Sequence, residues 1–198
     1  MVMKISNYCL AILFSVFSLN LVAQNNNTAQ VHKHKFSLYG GVGPNYYFNN
    51  LVIAKNYVQP LNYSVGARLM WEPEHFFSLG IESGYYQLYT IKYTAPSLWT
   101  AQVVNTAIPI QLVMSMKFLR NFYADLSIGQ TNLVSKFSSP EKARVEYSTW
   151  SLADYGITLG YQHPINDNFS FGIESKFFHS TKNDDSNLAL MLVAAFHF

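Results

Sequence analysis

Ile108-Pro109-Ile110-Gln111-Leu112-Val113-Met114-Ser115-Met116-Lys117-Phe118 is followed by Leu119-Arg120-Asn121 and then by Phe122-Tyr123-Ala124-Asp125-Leu126-Ser127-Ile128-Gly129. Two runs of period-two alternation flank a connection of only three residues. Successive side chains of a strand point to opposite faces. In the first run Ile108, Ile110, Leu112, Met114, Met116 and Phe118 share one face, against Pro109, Gln111, Ser115 and Lys117. In the second, Phe122, Ala124, Leu126 and Ile128 stand against Tyr123, Asp125, Ser127 and Gly129. The hairpin therefore has one apolar face and one face of small, polar and charged residues.

Outward from this hairpin the pattern repeats. Tyr63, Val65, Ala67, Leu69 and Trp71 alternate with Ser64, Gly66, Arg68 and Met70, and Phe77, Leu79 and Ile81 with Ser78, Gly80 and Glu82. Tyr155, Ile157, Leu159 and Tyr161 alternate with Asp154, Gly156, Thr158 and Gly160. Phe169, Phe171 and Ile173 alternate with Ser170, Gly172, Glu174 and Lys176. The last run sets Leu188, Leu190, Leu192, Ala194, Phe196 and Phe198 against Ala189, Met191, Val193, Ala195 and His197. A first strand near Phe36 is blurred by Gly40, Gly41 and Gly43. When faces are assigned from apolar residues alone, Arg68, Glu82, Lys117, Asp125, Asp154, Glu174 and Lys176 all fall opposite them. Chance gives that agreement on the order of once in a hundred trials for a period of two.

Composition decides which face is inside. Charged residues are 12% of the chain, hydrophobic ones 49% and aromatic ones 16%. Ordinary globular proteins carry about 25% charge. So many aromatics exclude disorder. Beyond the first 23 positions no apolar run reaches the roughly 18 residues a transmembrane helix needs. A water-facing sheet surface would carry more charge than the Gly- and Ser-rich face seen here. The sequence thus predicts an all-β fold, a closed antiparallel up-and-down transmembrane β-barrel of about eight strands, with lipid outside and the charged face lining a narrow lumen.

Lys4, the apolar stretch from Cys9 to Ala23 and the polar Gln24-Asn25-Asn26-Asn27 read as a cleavable secretory signal. The expected organisation is a signal over 1–23, a flexible segment over 24–35 and the barrel over 36–198. Cys9 is the sole cysteine and lies in the signal, so disulfide and thiol chemistry are not expected. The formal net charge of +2 gives no field suited to nucleic acid.

Connections near 72–76, 119–121 and 163–168 are short and carry Pro, Asn or Asp. Those around 44–61, 89–105, 131–149 and 179–187 are longer. That alternation is expected of periplasmic turns and outer loops. Trp71, Phe77, Phe118, Phe122, Tyr161, Phe169 and Phe196 share the apolar parity and flank the short turns, as a periplasmic aromatic girdle does. Pro109 cannot donate to a ladder, so a bulge or an early ladder end is expected there.

The signal ending Leu21-Val22-Ala23-Gln24, the opening Ile108-Pro109-Ile110-Gln111-Leu112 and the terminal Ala195-Phe196-His197-Phe198 resemble the PorT-like outer-membrane β-barrel family of Gram-negative bacteria, over about residues 36–198. The resemblance implies assembly by the outer-membrane insertion machinery, which recognises a terminal aromatic residue; Phe198 matches that position. It implies no shared catalytic residues, and a role in secretion or adhesion for some members.

The expected interior is a polar network of Arg68, Glu82, Asp125, Asp154, Glu174 and Lys176, because buried charges require partners. The function expected is non-enzymatic, a structural or interaction role through long extracellular loops in contact with a protein partner, in the outer membrane among its lipids. The alternatives are a lipid A-modifying enzyme, resembling the lipid A deacylases through His179-Ser180 with Glu174 upstream, and a small porin-like channel or carrier for apolar solutes. His179 and Ser180 are adjacent and so point to opposite faces of a strand. No catalytic residue, cofactor or metal is expected. His32-Lys33-His34-Lys35 lacks carboxylates, and Lys182-Asn183-Asp184-Asp185-Ser186-Asn187 lacks the spacing of a calcium loop and reads as a solvated loop. Tyr46-Tyr47-Phe48, Tyr57, Trp99 and Trp150 are candidate loop anchors or an outer girdle.

Overall fold

The strands form where period-two alternation and β-branched or aromatic residues coincide. A computed structural model describes residues 36–48, 57–73, 77–94, 100–119, 121–139 and 142–198. The expected signal, the 24–35 segment, His32, His34 and Trp99 lie outside the described residues. Eight strands make the barrel: β1 (Phe36–Tyr47), β2 (Leu61–Trp71), β3 (Phe77–Thr94), β4 (Thr100–Phe118), β5 (Phe122–Ser139), β6 (Lys142–Pro164), β7 (Phe169–Ser180) and β8 (Asp185–His197). A two-residue strand, Val58–Gln59, extends the line of β2 and pairs with Ile91 and Thr90 of β3.

Each strand pairs antiparallel with the next, and β8 returns to pair with β1. The seam is finished by the chain end. Phe36 N–H donates to the Phe198 carbonyl at 3.1 Å, and Phe198 N–H to the Phe36 carbonyl at 2.9 Å. A closed ladder satisfies every backbone group between strands, a requirement for crossing hydrocarbon.

Side chains obey the alternation around the whole ring. Leu79, Leu112 and Leu159 are exposed on the outer surface, Leu112 at 67%. Arg68, Glu82, Asp125, Glu174 and Lys176 are buried inside, Lys176 at 1%. Even β1, whose glycines obscure its parity in the sequence, alternates from Phe36 (out) through Ser37 and Tyr39 (in) to Tyr47 (in). The apolar exterior and polar interior are those of a membrane-spanning barrel. At the short-turn end, aromatic rings on the outer surface meet across the strands. Phe118 pairs with Phe122, Phe122 with Tyr161, Phe169 with Phe196, and Phe36 with Trp71. Phe198 stacks on both Phe36 and Phe196, with centroids 6.2 and 6.1 Å apart.

The other end differs from the expectation of long loops. The stretches 89–105 and 131–149 are mostly strand. β3, β4, β5 and β6 have 18, 19, 18 and 23 residues, whereas β7 has 12. About 9–11 residues suffice for a transmembrane strand. β6 pairs with β7 only from Tyr155 to Pro164, while its pairing with β5 reaches Lys142. Two adjacent hairpins therefore rise past the barrel as a four-stranded wall, and Val145, Glu146, Tyr147 and Ser148 are exposed in succession, on both faces. At about 3.3 Å per residue the 142–150 stretch of β6 is roughly 30 Å long. The alternation disappears over 145–148 because both faces there leave the apolar and lumenal environments. The 179–187 connection is likewise short. It is a turn at 181–184, and Asp185 and Asn187 are buried in β8 instead of lying in a solvated loop.

β4 continues past Pro109 without ending. Pro109 faces Thr131 in an unbroken β5 ladder, and on the other side the β3 pairing skips from Ser83–Ile110 to Tyr86–Ala107 with its register kept. Ser83 Oγ donates to the Pro109 carbonyl at 2.8 Å across that gap. The register shifts fall elsewhere, at Gln87/Tyr89, Gly129/Thr131 and Phe137/Ser139.

Leu192 lies on the outer surface of β8 between Val42 and Ile173. Leu192→Arg is expected to cost about 2–4 kcal/mol of folding into vesicles near the midplane. Heat-modifiable gel migration after refolding reads it out, and wild-type folding would contradict the outward face.

Candidate functional site: the filled lumen and its mouth

The interior is built by residues of one parity from all eight strands, and their charges assort into separate groups. At the centre Arg68 of β2 reaches across the barrel. Its Nη1 donates to Asp125 Oδ2 of β5 at 2.5 Å, and its Nη2 to Glu174 Oε2 of β7 at 3.1 Å. The guanidinium lies over the rings of Tyr39 and Tyr123, 4.7 and 5.4 Å from their centroids. Tyr123 Oη also donates to Glu174 Oε2 at 2.8 Å. Gly160, the cross-strand partner of Tyr123, leaves the space this ring occupies. Beside this group Lys176 Nζ donates to Glu82 Oε1 and lies 5.7 Å from the Tyr86 ring centroid. A planar, always-charged guanidinium suits two carboxylates at once, and the compact ammonium serves one.

Nearer the short turns, Lys117 Nζ donates to Glu72 Oε2 at 2.6 Å and Tyr39 Oη to Glu72 Oε1 at 2.8 Å. Burial raises the carboxyl's pKa, but the Lys117 ammonium and the donors around it outweigh that, holding Glu72 below the usual carboxylate range. This clamp is absent from the sequence expectation because Glu72 lies one residue past its strand. The available signal was parity, since Glu72 continues the face of Arg68 and Met70.

Asp154 stands apart from the central group. Its Oδ1 accepts from Ser151 Oγ (2.5 Å), Thr181 N–H (2.9 Å) and Thr181 Oγ1 (3.4 Å), at the wall end of the lumen. Close by, Tyr47 Oη donates to Asp185 Oδ1 at 2.6 Å. Tyr47, one of the expected loop aromatics, is thus an interior residue. Tyr46, Phe48, Tyr57 and Trp150 are exposed.

The cavity bordered by Arg68, Glu82, Glu174 and Lys176 measures about 10 Å³. That is scarcely the space of one water. Side chains fill the barrel at this level, as is usual at this strand number. The His179–Ser180 pair does not assemble a nucleophile. Ser180 Oγ is buried with no hydrogen-bond partner, whereas His179 Nδ1 lies 2.8 Å from Ser186 Oγ. A serine nucleophile needs a base within hydrogen-bond reach. Among the described residues no group of three or more His, Cys, Asp or Glu side chains is placed to hold a metal. On the outer surface a groove of about 240 Å³ runs between Ile81, Ile110, Leu112, Ile128 and Trp150.

Arg68→Met leaves Asp125 and Glu174 buried without their cation and is expected to cost about 3–5 kcal/mol in urea unfolding. Lys136→Ala removes a half-exposed pair with Glu146 (3.7 Å) and is expected to cost under about 1 kcal/mol. Because the Glu72 pKa is lowered on folding, its contribution is full above the unfolded carboxylate value and is lost as pH falls through the folded one. Glu72→Gln is expected to flatten that part of the stability-against-pH curve, and an unchanged acid limb would refute the clamp.

No protein-family model and no curated protein matches the sequence. Solved structures do resemble the fold. Neisserial surface protein A (NspA) superposes with a TM-score of 0.50 at 11% identity, over 83% of this chain and 97% of that one. Ail, the attachment invasion locus protein of Yersinia pestis, gives 0.49 at 15% identity over 83% and 99%. The outer membrane protein OprG from Pseudomonas aeruginosa gives 0.48 at 9% identity over 85% and 99%. At such identities the likeness bears on fold alone, and the NspA match carries it. With its apolar belt and closed ladder, the chain has the fold of the small eight-stranded outer-membrane β-barrels.

Proposed function

We propose that this is a non-enzymatic outer-membrane protein whose barrel is an anchor and whose β3–β6 wall is the working surface. One observation carries the proposal: the wall rises well beyond the span a membrane requires and exposes Val145, Tyr147, Trp150 and Leu152. Exposed aromatic and aliphatic residues on an ordered scaffold are the usual anchors of protein interfaces. The ion-paired lumen supports an anchor over a pore. The resemblance to PorT-like proteins supports an interaction role in secretion or adhesion, with Phe198 read by the insertion machinery during assembly.

Replacing 137–145 with Asn-Gly, between the paired Lys136 and Glu146, shortens the β5–β6 hairpin by a turn compatible with strand twist. The shortened protein is expected to remain heat-modifiable and yet to leave the surface phenotype of a deletion strain uncorrected. Full correction by the shortened chain would overturn the proposal. Planar-bilayer current above the empty membrane, or altered lipid A acylation in the deletion strain, would favour the channel or the enzyme instead.

A further inference from the structure

The mouth of the lumen at the wall end holds a row of oxygen atoms that the Arg68 and Lys176 groups do not serve. Register builds the row. The β6–β7 ladder ends at Tyr155–His179, and just beyond it Asp154 Oδ1 of β6 accepts from the N–H of Thr181, the residue after Ser180 of β7. Ser180 in turn pairs with Asp185 of β8. All three are buried, Asp154 and Ser180 completely. Directly opposed residues have Cβ atoms about 5 Å apart. The two carboxylates therefore flank one hydroxyl across three adjacent strands.

Several atoms there lack partners. Ser180 Oγ and Asp154 Oδ2 are buried with no hydrogen bond. Neither side-chain atom of Asn187, two residues from Asp185 on the same face, has one. Thr131 Oγ1, opposite Ser151 in the ladder, is likewise unpartnered. A buried polar atom without a partner costs about 1–3 kcal/mol, and a lone ionised carboxylate costs more. Neutral donors alone hold Asp154 Oδ1. Two of the described lysines near this end are engaged elsewhere. Lys176 bonds Glu82, and Lys182 Nζ bonds Thr149 Oγ1 and the Trp150 carbonyl at the surface. Two carboxylates with hydroxyl and amide oxygens, and no sulfur or imidazole, form the donor set of a hard cation.

We propose that Asp154, Ser180, Asp185 and Asn187 bind one calcium-class divalent cation at this mouth. The ion gives Asp154 the positive charge that its neutral donors lack, and gives the Ser180 and Asn187 oxygens a partner. It also ties β6, β7 and β8 together at the point where β6 leaves its neighbour to enter the wall.

The test uses the full barrel refolded in detergent without lipopolysaccharide. Terbium is the probe, since Tyr47, bonded to Asp185, is placed to sensitise its luminescence. Saturable luminescence is expected, displaced by calcium and not by equal sodium. Calcium is expected to raise the thermal unfolding midpoint. Asp154→Asn keeps the Oδ1 acceptor for Thr181 and should weaken binding about tenfold or more. Ser180→Ala removes an unpartnered hydroxyl, so the metal-free barrel should be no less stable while the calcium-induced shift shrinks. Absent luminescence, or equal terbium affinity in wild type, Asp154→Asn and Ser180→Ala, would overturn the site.

Discussion

A strand in a closed barrel has one face toward lipid and one toward the axis, and no position escapes that choice. In hydrocarbon every backbone group must be bonded within the ladder, so the chain must close on itself. Closure then forces each ionised side chain on the inner face into a space with almost no water. The Arg68 and Lys176 groups are the consequence. Two cations face three carboxylates in the middle of the barrel, and tyrosines supply the remaining contacts. The barrel is thereby plugged by the same residues that its parity requires to be inside.

The closing seam depends on the last residue. Phe198 contributes both backbone bonds to Phe36 and two ring contacts to the girdle. Its aromatic side chain therefore has a structural duty at the lipid boundary, apart from any recognition during assembly. The wall has the opposite character. Its strands continue past the barrel, held by pairing among β3–β6, by Val58–Gln59 against β3 and by the Lys182 bonds to β6. Rigid strands carrying exposed rings form a more ordered surface than loops of equal length, because little backbone entropy remains to be lost on contact.

The mouth of the lumen shows how one charge class divides by level. Asp125 and Asp154 have the same parity, and in the sequence nothing separates them. Their partners are nonetheless different, a guanidinium for one and neutral donors for the other. The difference is position along the axis, and position is the sum of stagger and bulges over several strands.

Parity alone was enough to orient the barrel, because a side-chain period of two leaves a residue only two directions and the apolar members of each strand choose between them. The faces of Arg68, Glu82 and Glu174 follow from Leu69, Ile81 and Ile173 beside them. Three things were not legible in that way. Where a strand is exposed on both faces, as over 145–148, its alternation fades, and that part of the wall reads as a loop. Glu72 sits past its strand, and Tyr39 sits in a strand whose glycines hide the pattern, so neither was seen as part of the interior. Composition and alternation determined which face of the barrel the side chains of the clearly alternating strands occupy. Only the closed tertiary structure decided which charges meet, because hydrogen-bond register around eight strands sets the height of each one, and a local pattern contains no information about height.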